Sequence, residues 1–208
     1  MFYKPGDNHG LDGDPLNAIV VPRPIGWLST LSLEGIPNLA PYSFFNAVAY
    51  TPPQVMFSAT GGHSFGGLKD AVKDAQDTGE FVVNIATFET REKMNASSVS
   101  APREIDEFLY AGLTKENSEI VKCPRVKESP IHLECKFTKS VSLPTNNPSS
   151  PITVVFGEVI GVHIDESVIT DGKIDMMKLS PIGRLGYLDF TQVTNVFSMD
   201  RPVWDSSN

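Results

Sequence analysis

Small hydroxyl and amide side chains gather between residues 23 and 48, in the stretch RPIGWLSTLSLEGIPNLAPYSFFNAV. Pro37 and Pro41 cannot donate to a strand ladder, so neighbouring groups can be free for a ligand. The polar members are Ser29, Thr30, Asn38, Ser43 and Asn46, and the aromatic members are Tyr42, Phe44 and Phe45. This mixture predicts the wall of a site for a ligand with a flat aromatic part. An aromatic-rich hairpin packed in a core accounts for the same residues, and the residues alone leave both interpretations open.

A candidate anion site follows, where a glycine-rich loop leads into a predicted helix. Ser58 ends an apolar strand, the loop GGHSFGG comes next, and Lys69 opens the helix. The N-terminus of a helix attracts anions through its unpaired N–H groups and its dipole. A charge-assisted hydrogen bond from Lys69 would add about 1.5–3 kcal/mol. The two features together predict a ligand with one anionic end and one aromatic plate, and a lysine on a solvated helix face is the alternative.

The same loop matches the G-x-S-x-G nucleophile elbow of serine hydrolases, with Ser64 at its centre, a strand before it and a helix after it. Little sheet precedes the loop, and no HGGG-like oxyanion segment does. His132 and His163 could follow as bases, with Asp106 as the acid, but no pattern marks them. A flexible or ligand-facing loop is therefore favoured over a hydrolase, which stays as an alternative.

Metal binding and the common nucleotide motifs have little support in the sequence. Cys123, His132, Glu134 and Cys135 could ligate a metal, but there is no Cys-x-x-Cys or clustered histidine pair. His132, Glu134 and Lys136 alternate along a predicted strand, which predicts one solvated face. No G-x-G-x-x-G opens a helix after a strand, and there is no P-loop. We therefore expect no metal, and a nicotinamide substrate would have to bind without a Rossmann fold.

The composition is that of an ordinary globular protein. The 208 residues are 40% hydrophobic and 20% charged. A net charge of −8, with only 17 Lys and Arg, argues against bulk electrostatic binding to nucleic acid or anionic lipid. Two cysteines set no disulfide framework, and we find neither a signal-like apolar stretch nor a run long enough to span a membrane. We expect a cytoplasmic protein that binds neither nucleic acid nor membrane.

Hydrophobic periodicity predicts a chain in which strands dominate. The predicted strands cover 17–22, 25–33, 38–46, 54–60, 80–87, 131–142, 152–164 and 182–188, and the predicted helices cover 68–79 and 89–112. The polar turn Leu33-Glu34-Gly35-Ile36 predicts a hairpin. Because the helices interrupt the strands without a regular βαβ rhythm, we predict a mainly antiparallel β-barrel with peripheral helices. No break in composition divides the chain, so residues 1–208 are predicted to form one domain.

The order of these segments resembles the flavin reductase-like family, whose members bind FMN in a split β-barrel of antiparallel, Greek-key type. The stretches that carry the resemblance are residues 23–48, quoted above, then PPQVMFSAT and LKDAVKDAQDTGEFVVNIAT. Later segments agree in the same order: MNASS at 94–98, EFLYAGL at 107–113, KCPRVKESPIHLEC at 122–135, VVFGEVIGVHI at 154–164, PIGRLGY at 181–187 and FSMDRP at 197–202. The likeness therefore runs over nearly the whole chain.

The resemblance implies a set of FMN contacts. Ser29 and Thr30 would edge the flavin, and Lys69 would hold its phosphate. The isoalloxazine ring and ribityl chain would be lined by Asn38, Ala40, Pro41, Tyr42, Ser43, Phe44 and Asn46, with Phe57 and Ser58 beside them and Arg184 as a further contact that a dimer brings close. The family usually has Thr where this chain has Ala71, and an arginine in the loop where His63 could stand in.

The resemblance also implies a function. It predicts a homodimeric FMN-binding oxidoreductase, an NAD(P)H-dependent flavin reductase that passes hydride through FMN to a flavin or another small electron acceptor. Because the flavin ring carries this chemistry, we expect no dedicated catalytic side chain. An FMN-binding electron carrier without its own NAD(P)H activity is an alternative on the same fold. A serine hydrolase that uses Ser64 is the alternative from another class.

Overall fold

The computed structural model describes residues 1–204, and most of its regular structure is strand. The strands are β1 (Arg23–Pro24), β2 (Gly26–Leu31), β3 (Pro37–Tyr42), β4 (Phe45–Tyr50), β5 (Pro53–Thr60), β6 (Glu80–Ile85), β7 (Lys115–Glu116), β8 (Arg125–Val126), β9 (Ile131–Leu143), β10 (Ile152–Ile164), β11 (Ile169–Thr170), β12 (Lys173–Ile174), β13 (Ile182–Arg184) and β14 (Phe190–Gln192). The helices are α1 (Leu16–Ile19), α2 (Asp70–Thr78), α3 (Arg91–Ala96), α4 (Glu107–Tyr110) and α5 (Met176–Leu179), and a 3₁₀ turn covers Glu166–Val168.

Seven strands form one antiparallel sheet in the order β3-β2-β6-β9-β10-β5-β4. β3 and β4 follow each other along the chain, separated only by Ser43 and Phe44, yet they lie at opposite edges of this sheet. The sheet must therefore curl so that its edges approach each other, and β3 contacts β5, although β3 and β4 do not pair. The predicted antiparallel barrel with peripheral helices is confirmed.

The hairpin predicted around Gly35 is present. Gly35 has a φ of +81°, a value that a turn can use and that favours glycine, and the N–H of Ser32 donates to the carbonyl of Ile36. β2 and β3 pair across this turn from Gly26 opposite Tyr42 to Leu31 opposite Pro37. The second strand ends earlier than predicted, because the chain leaves β3 at Tyr42 and crosses to the other edge of the sheet as β4.

The interior of the barrel is filled by aromatic and aliphatic side chains, with Leu28, Phe57 and Phe81 fully buried. α2 covers one opening, since its residues Ala71, Val72 and Ala75 pack into the same core. Gly79 ends α2 in the left-handed conformation, as the sequence predicts. This packing fixes the first turn of α2 against the barrel.

Three predicted elements differ from the structure. Residues 17–22 are not a strand: the chain makes one helical turn from Leu16 to Ile19, because Asp14 and Pro15 form a helix start in which the Asp14 carboxylate accepts from the N–H of Leu16. The helix predicted over 89–112 is two short helices, α3 and α4, because Pro102 interrupts it and Asp106 caps a new start. The strand predicted over 182–188 ends at Arg184 and returns as β14.

No helix within residues 1–204 has the length and apolar character needed to cross a membrane.

Candidate functional site

A cleft of about 570 Å³ lies where β3, the end of β5 and the start of α2 meet the segments that precede β1 and follow β13. This main cleft is lined by Gly13, Asp14, Asn17, Arg23, Ile25, Pro41, Tyr42, Ser43, Phe44, Ser58, Thr60, Lys69, Met94, Asn95, Ser98, Arg184, Leu185, Tyr187 and Phe190. A small cavity of about 130 Å³ adjoins it, and Pro41, Tyr42, Lys69 and Ser98 line both. The combined space is in the size range of cofactor sites.

Nine of the thirteen residues predicted to contact the flavin line these two spaces. The main cleft is lined by Pro41, Tyr42, Ser43, Phe44, Ser58, Lys69 and Arg184. Asn38 and Ala40 line the small cavity. The hairpin thus borders a cleft rather than only a core, because residues 41–44, at the end of β3 and before β4, line the main cleft.

The other four predicted residues line neither space. The hydroxyl of Ser29 donates to the carbonyl of Pro124 at 2.6 Å, on the side of β2 away from the cleft, and Phe57 is buried in the barrel core. Thr30 is buried behind β3, and Asn46 is exposed on the edge strand β4. Neighbouring residues of a strand point to opposite faces, so the hydroxyls of Ser29 and Thr30 turn to Pro124 and to Asp74, and neither reaches the cleft. We therefore leave Ser29, Thr30, Asn46 and Phe57 out of the site within one chain.

Lys69 occupies the position between the two spaces. It is the N-cap residue of α2, and no side chain caps this helix start. Among residues 1–204, the ammonium group of Lys69 makes no ion pair or hydrogen bond within the chain. The first N–H groups of a helix also lack intrahelical partners. The start of α2 therefore offers an anion both a free cation and unpaired N–H donors.

The glycine-rich loop before α2 is held by Arg103, a residue that the sequence analysis did not select. The guanidinium of Arg103 donates to the carbonyls of Gly66 and Leu68, each at 2.8 Å, and forms an ion pair with Asp70. The loop itself has no arginine, and the arginine that contacts it is Arg103, which comes from a later part of the chain. Because Arg103 neutralises Asp70, that carboxylate opposes an anion at the helix start less than its position suggests.

His63 does not act as a cation in this loop. Its Nδ1 accepts from the N–H of Phe65 at 3.1 Å, so the ring proton is on Nε2, which lies 3.2 Å from the Asp70 carboxylate. Burial, then the charges of Arg103 and Lys69, lower the pKa of His63. The histidine is neutral at pH 7 and orders the loop instead of replacing a phosphate-binding arginine. Ala71 is fully buried and adds no hydroxyl.

Arg23 is a second residue at the candidate site that the sequence does not single out, and it lines the main cleft. Its side chain is buried, and it donates to the carbonyls of Asn17, Val20 and Leu185 at 2.7, 2.9 and 3.1 Å. The guanidinium therefore joins the segments before β1 and after β13 into one wall of the main cleft. The one hint in the sequence is its place between Pro22 and Pro24, which alone does not reveal the carbonyls that it contacts.

Two buried carboxyl groups support β3 from behind. Asp74 accepts from the hydroxyl of Thr30 at 2.8 Å, and Thr30 in turn accepts from the amide of Asn38, which fixes that side chain at the small cavity. Glu107 accepts from the N–H of Leu39 and lines the small cavity. Burial raises the pKa of Asp74 to about 6 and also raises the pKa of Glu107.

Tyr42 presents a neutral ring to the main cleft. Burial, followed by the negative charges of Glu107 and Asp74, raises the pKa of its phenol well above the usual value of 10.0. The ring lies 5.2 Å from that of Phe57, so it packs onto the core on one side. Tyr42 is therefore a fixed apolar wall whose hydroxyl keeps its proton at neutral pH.

The serine hydrolase alternative has no geometric support within residues 1–204. The hydroxyl of Ser64 contacts the hydroxyl of Ser100, and no histidine contacts it. His132 contacts Val126 and Arg125, and His163 contacts Glu134. Asp106 caps α4. Ser64 thus has neither a general base nor an acid behind it.

The strand face that bears His132 and Glu134 was predicted to be solvated, and this prediction is wrong. Glu134 is fully buried and accepts from the N–H groups of Glu119, Ile120 and Val121 and from His163. The chain between β7 and β8 folds over this face. Within residues 1–204 no group of three or more His, Cys, Asp or Glu is arranged to hold a metal ion.

The comparisons with known proteins agree with this geometry. Residues 19–178 match the family model described as "Flavin reductase like domain". An uncharacterized protein of Aquifex aeolicus (strain VF5) is 43% identical over 180 residues, which cover 84% of this chain and 88% of that protein. Nitrilotriacetate monooxygenase component B from Bacillus cereus has a similar crystal structure, with a TM-score of 0.87 and 29% identity over 96% of this chain and 98% of that chain. Pseudomonas fluorescens 2-nitrobenzoate 2-nitroreductase NbaA gives a TM-score of 0.83 and 26% identity over the whole of both chains.

The fold and the cleft define a split-barrel protein of the flavin-related oxidoreductases. The chain belongs to the flavin reductase-like family.

Proposed function

We propose that the protein binds FMN in the main cleft and works as an NAD(P)H-dependent flavin reductase, with residues 1–208 as one domain. The observation that carries the proposal is the position of Lys69. This lysine has no ion-pair partner among residues 1–204, lies at an uncapped helix start, and borders both an aromatic-walled cleft and a small polar cavity. A ligand with an anionic end and a flat aromatic part matches this arrangement.

The donors around Lys69 fit a phosphate monoester. Lys69 would supply the charge, the first N–H groups of α2 would supply directed hydrogen bonds, and the hydroxyl residues Ser58, Thr60 and Ser98 line the same cleft as Lys69. Arg103 keeps the nearby Asp70 carboxylate paired. The phosphate of FMN would therefore be held at the start of α2.

The walls of the main cleft fit an isoalloxazine ring. Tyr42 and Phe44 supply flat apolar surface, and Pro41 has no N–H that would need a partner there. Ser43 and Asn95 add polar groups at the edge of the same space. Polar contacts at its edge would orient the isoalloxazine ring, and the aromatic walls would shield its faces from water. Contacts of this kind are how a protein tunes a cofactor that carries the chemistry.

FMN bound in this cleft would supply the redox chemistry, hydride transfer from a reduced nicotinamide and electron transfer to a second flavin or another small acceptor. The residues of this chain would bind FMN, orient its ring and exclude water from it. Because the flavin ring would carry the chemistry, the proposal assigns no dedicated catalytic side chain.

We extend the proposal to a homodimer. β4 is an edge strand of the seven-stranded sheet, and Val48 and Tyr50 on it are exposed at 47% and 93%. An exposed apolar edge of this kind is usually covered in a soluble protein. A second copy over β4 would bring the exposed Asn46, and the rim of the main cleft, into contact with the partner.

The experiment is an absorption spectrum of the purified protein before and after FMN is added and the excess removed, followed by NADH and NADPH oxidation assays without a partner protein. We expect a retained flavin spectrum and turnover of at least one nicotinamide. Retention of FMN without turnover would make the protein an electron carrier. If neither retention nor titration detects FMN, the proposed site is wrong.

A further inference from the structure

A second cavity of about 400 Å³ opens beside the main cleft. Met94, Asn95, Arg184 and Phe190 line both spaces, so a ligand can extend from one into the other. We call this second space the side cavity. Its distinguishing feature is a pair of arginines, Arg91 and Arg184, each of which lies over an aromatic ring.

The two guanidinium groups are fixed by these rings. The Cζ of Arg91 lies 3.9 Å from the ring centroid of Phe88, and the Cζ of Arg184 lies 4.5 Å from that of Phe190. Each group also donates to a main-chain carbonyl, Arg91 to Phe88 and Arg184 to Tyr187. Stacking restricts a planar guanidinium, each carbonyl contact leaves other N–H groups of the arginine unused, and both arginines line the side cavity.

The charge of the side cavity favours an anion. Glu92 is the acidic residue that lines it, at 3.4 Å from Nε of Arg91, but the Glu92 side chain is 81% exposed and its charge is mostly solvated. The chain as a whole carries a net charge of −8, so an anionic ligand needs local cations to bind. Two preorganised arginines beside an apolar wall supply them.

We propose that the side cavity binds the diphosphate of a reduced nicotinamide dinucleotide, with Arg91 and Arg184 as the residues that contact it. The inference rests on the proposed function, because it gives the electron donor a place next to the flavin. Continuity through Asn95 and Phe190 allows the nicotinamide end to reach the main cleft while the diphosphate stays between the arginines. Arginine forks match the planar, bidentate arrangement of phosphate oxygens.

The first test is a calorimetric titration of NAD⁺ and NADP⁺, which do not react, into the FMN-loaded protein. Arg91→Ala should raise the Kd about tenfold or more for the dinucleotide that the wild type binds, since it removes a charge-assisted contact. Lys93→Ala is the matched control, because Lys93 lies on the same helix with 45% of its side chain exposed, against 42% for Arg91, and contacts Gly112 and Glu128 instead. Its Kd should stay within twofold of the wild type.

A second measurement separates dinucleotide binding from the redox reaction. 1-Benzyl-1,4-dihydronicotinamide donates hydride but has no diphosphate, so the ratio of kcat/KM for the natural dinucleotide to kcat/KM for this donor should fall about tenfold in Arg91→Ala. Arg91→Lys should give an intermediate ratio, because it keeps the charge and loses the stacked fork. If the wild type retains FMN and oxidises neither donor, the proposed function fails, and the calorimetric titration still tests the side cavity.

Three results would overturn the inference. One is a wild type that binds neither NAD⁺ nor NADP⁺. Another is an equal rise of Kd in Arg91→Ala and Lys93→Ala, which would mean that only bulk charge matters. The third is a Kd in Arg91→Ala equal to that of the wild type, and a changed mass by light scattering in that variant would further make the side cavity an interface between two copies.

Discussion

Arg23 and Arg184 lie directly opposite each other across the antiparallel pairing of β1 with β13, and both line the main cleft. Burial and the charge of Arg184 lower the pKa of Arg23. Like charges in directly opposed strand positions destabilise a sheet. A fold that keeps such a pair at the edge of a cleft gains stability when an anion enters, so the pair couples the stability of this wall to ligand binding.

A double-mutant cycle should measure this repulsion. In the FMN-free protein, Arg23→Met and Arg184→Met should show a coupling free energy of about 0.2–1 kcal/mol, with the sign of a repulsion, in urea unfolding. The coupling should shrink as salt is added, because part of the pair is solvated. Arg23→Met alone should be strongly destabilising, since it leaves the carbonyls of Asn17, Val20 and Leu185 without their donor. Additive effects of the two substitutions would show that the guanidinium groups do not interact.

Lys69→Ala should weaken FMN binding through the phosphate alone. Loss of one charge-assisted contact, about 1.5–3 kcal/mol, should raise the FMN Kd by at least tenfold. Riboflavin has no phosphate, so its Kd should change much less. Lys73→Ala is the control, because Lys73 lies on the same helix and pairs with Asp77 on the surface. An equal loss of FMN and riboflavin affinity in Lys69→Ala would place the phosphate elsewhere.

Glu134→Gln should destabilise the fold by about 2–4 kcal/mol at pH 7, since the buried carboxylate accepts from three N–H groups and His163. Despite its burial, the backbone N–H groups and His163 lower the pKa of Glu134 to about 2. The folded pKa is below the ordinary value of 4.5, so the contribution is present above pH 4.5 and is lost as pH falls towards 2. Urea unfolding at several pH values should show the difference between wild type and variant shrinking over that window. A difference that does not change with pH would mean that Glu134 is not ionised in the fold.

The sequence predicts those parts of the structure that depend on local pattern. The alternating or continuous apolar runs of β2, β5, β9 and β10 identify them as strands, and Gly35 and Gly79 mark a turn and a helix end. The proline and aromatic content of 38–46 raises a ligand site as one interpretation, but the residues alone leave a packed core hairpin equally open. These signals need no knowledge of distant contacts.

The residues that the sequence does not single out, and the predictions that the structure corrects, depend on contacts between distant segments. Arg103 and Arg23 are ordinary charged residues until the carbonyls that they bind are known, and these come from other parts of the chain. Glu134 fits a solvated strand face by period alone, and only the chain between β7 and β8 reveals its burial. Thr30 is adjacent to the site in sequence but points to Asp74.

Asp74→Asn should change the pH dependence of stability in the opposite sense to Glu134→Gln. Asp74 is 4% exposed, and burial raises its pKa from 3.8 to about 6, although the hydroxyl of Thr30 and the charge of Lys73 act in the other direction. Because the folded state binds this proton more tightly than the unfolded state, the free energy of unfolding of the wild type should fall as pH rises from about 4 to 6.

Asparagine keeps an oxygen that accepts from Thr30 and carries no charge. Asp74→Asn should therefore be more stable than the wild type at pH 8 by about 1–3 kcal/mol and close to it at pH 4. Asp77→Asn is the control, because Asp77 is on the same helix and lies at the surface with Lys73. Glu107, whose pKa burial also raises, stays in both proteins, so the difference between their urea-unfolding curves isolates Asp74. A variant that is less stable than the wild type at pH 8 would mean that the ionised carboxylate gains more from Thr30 than it loses by burial.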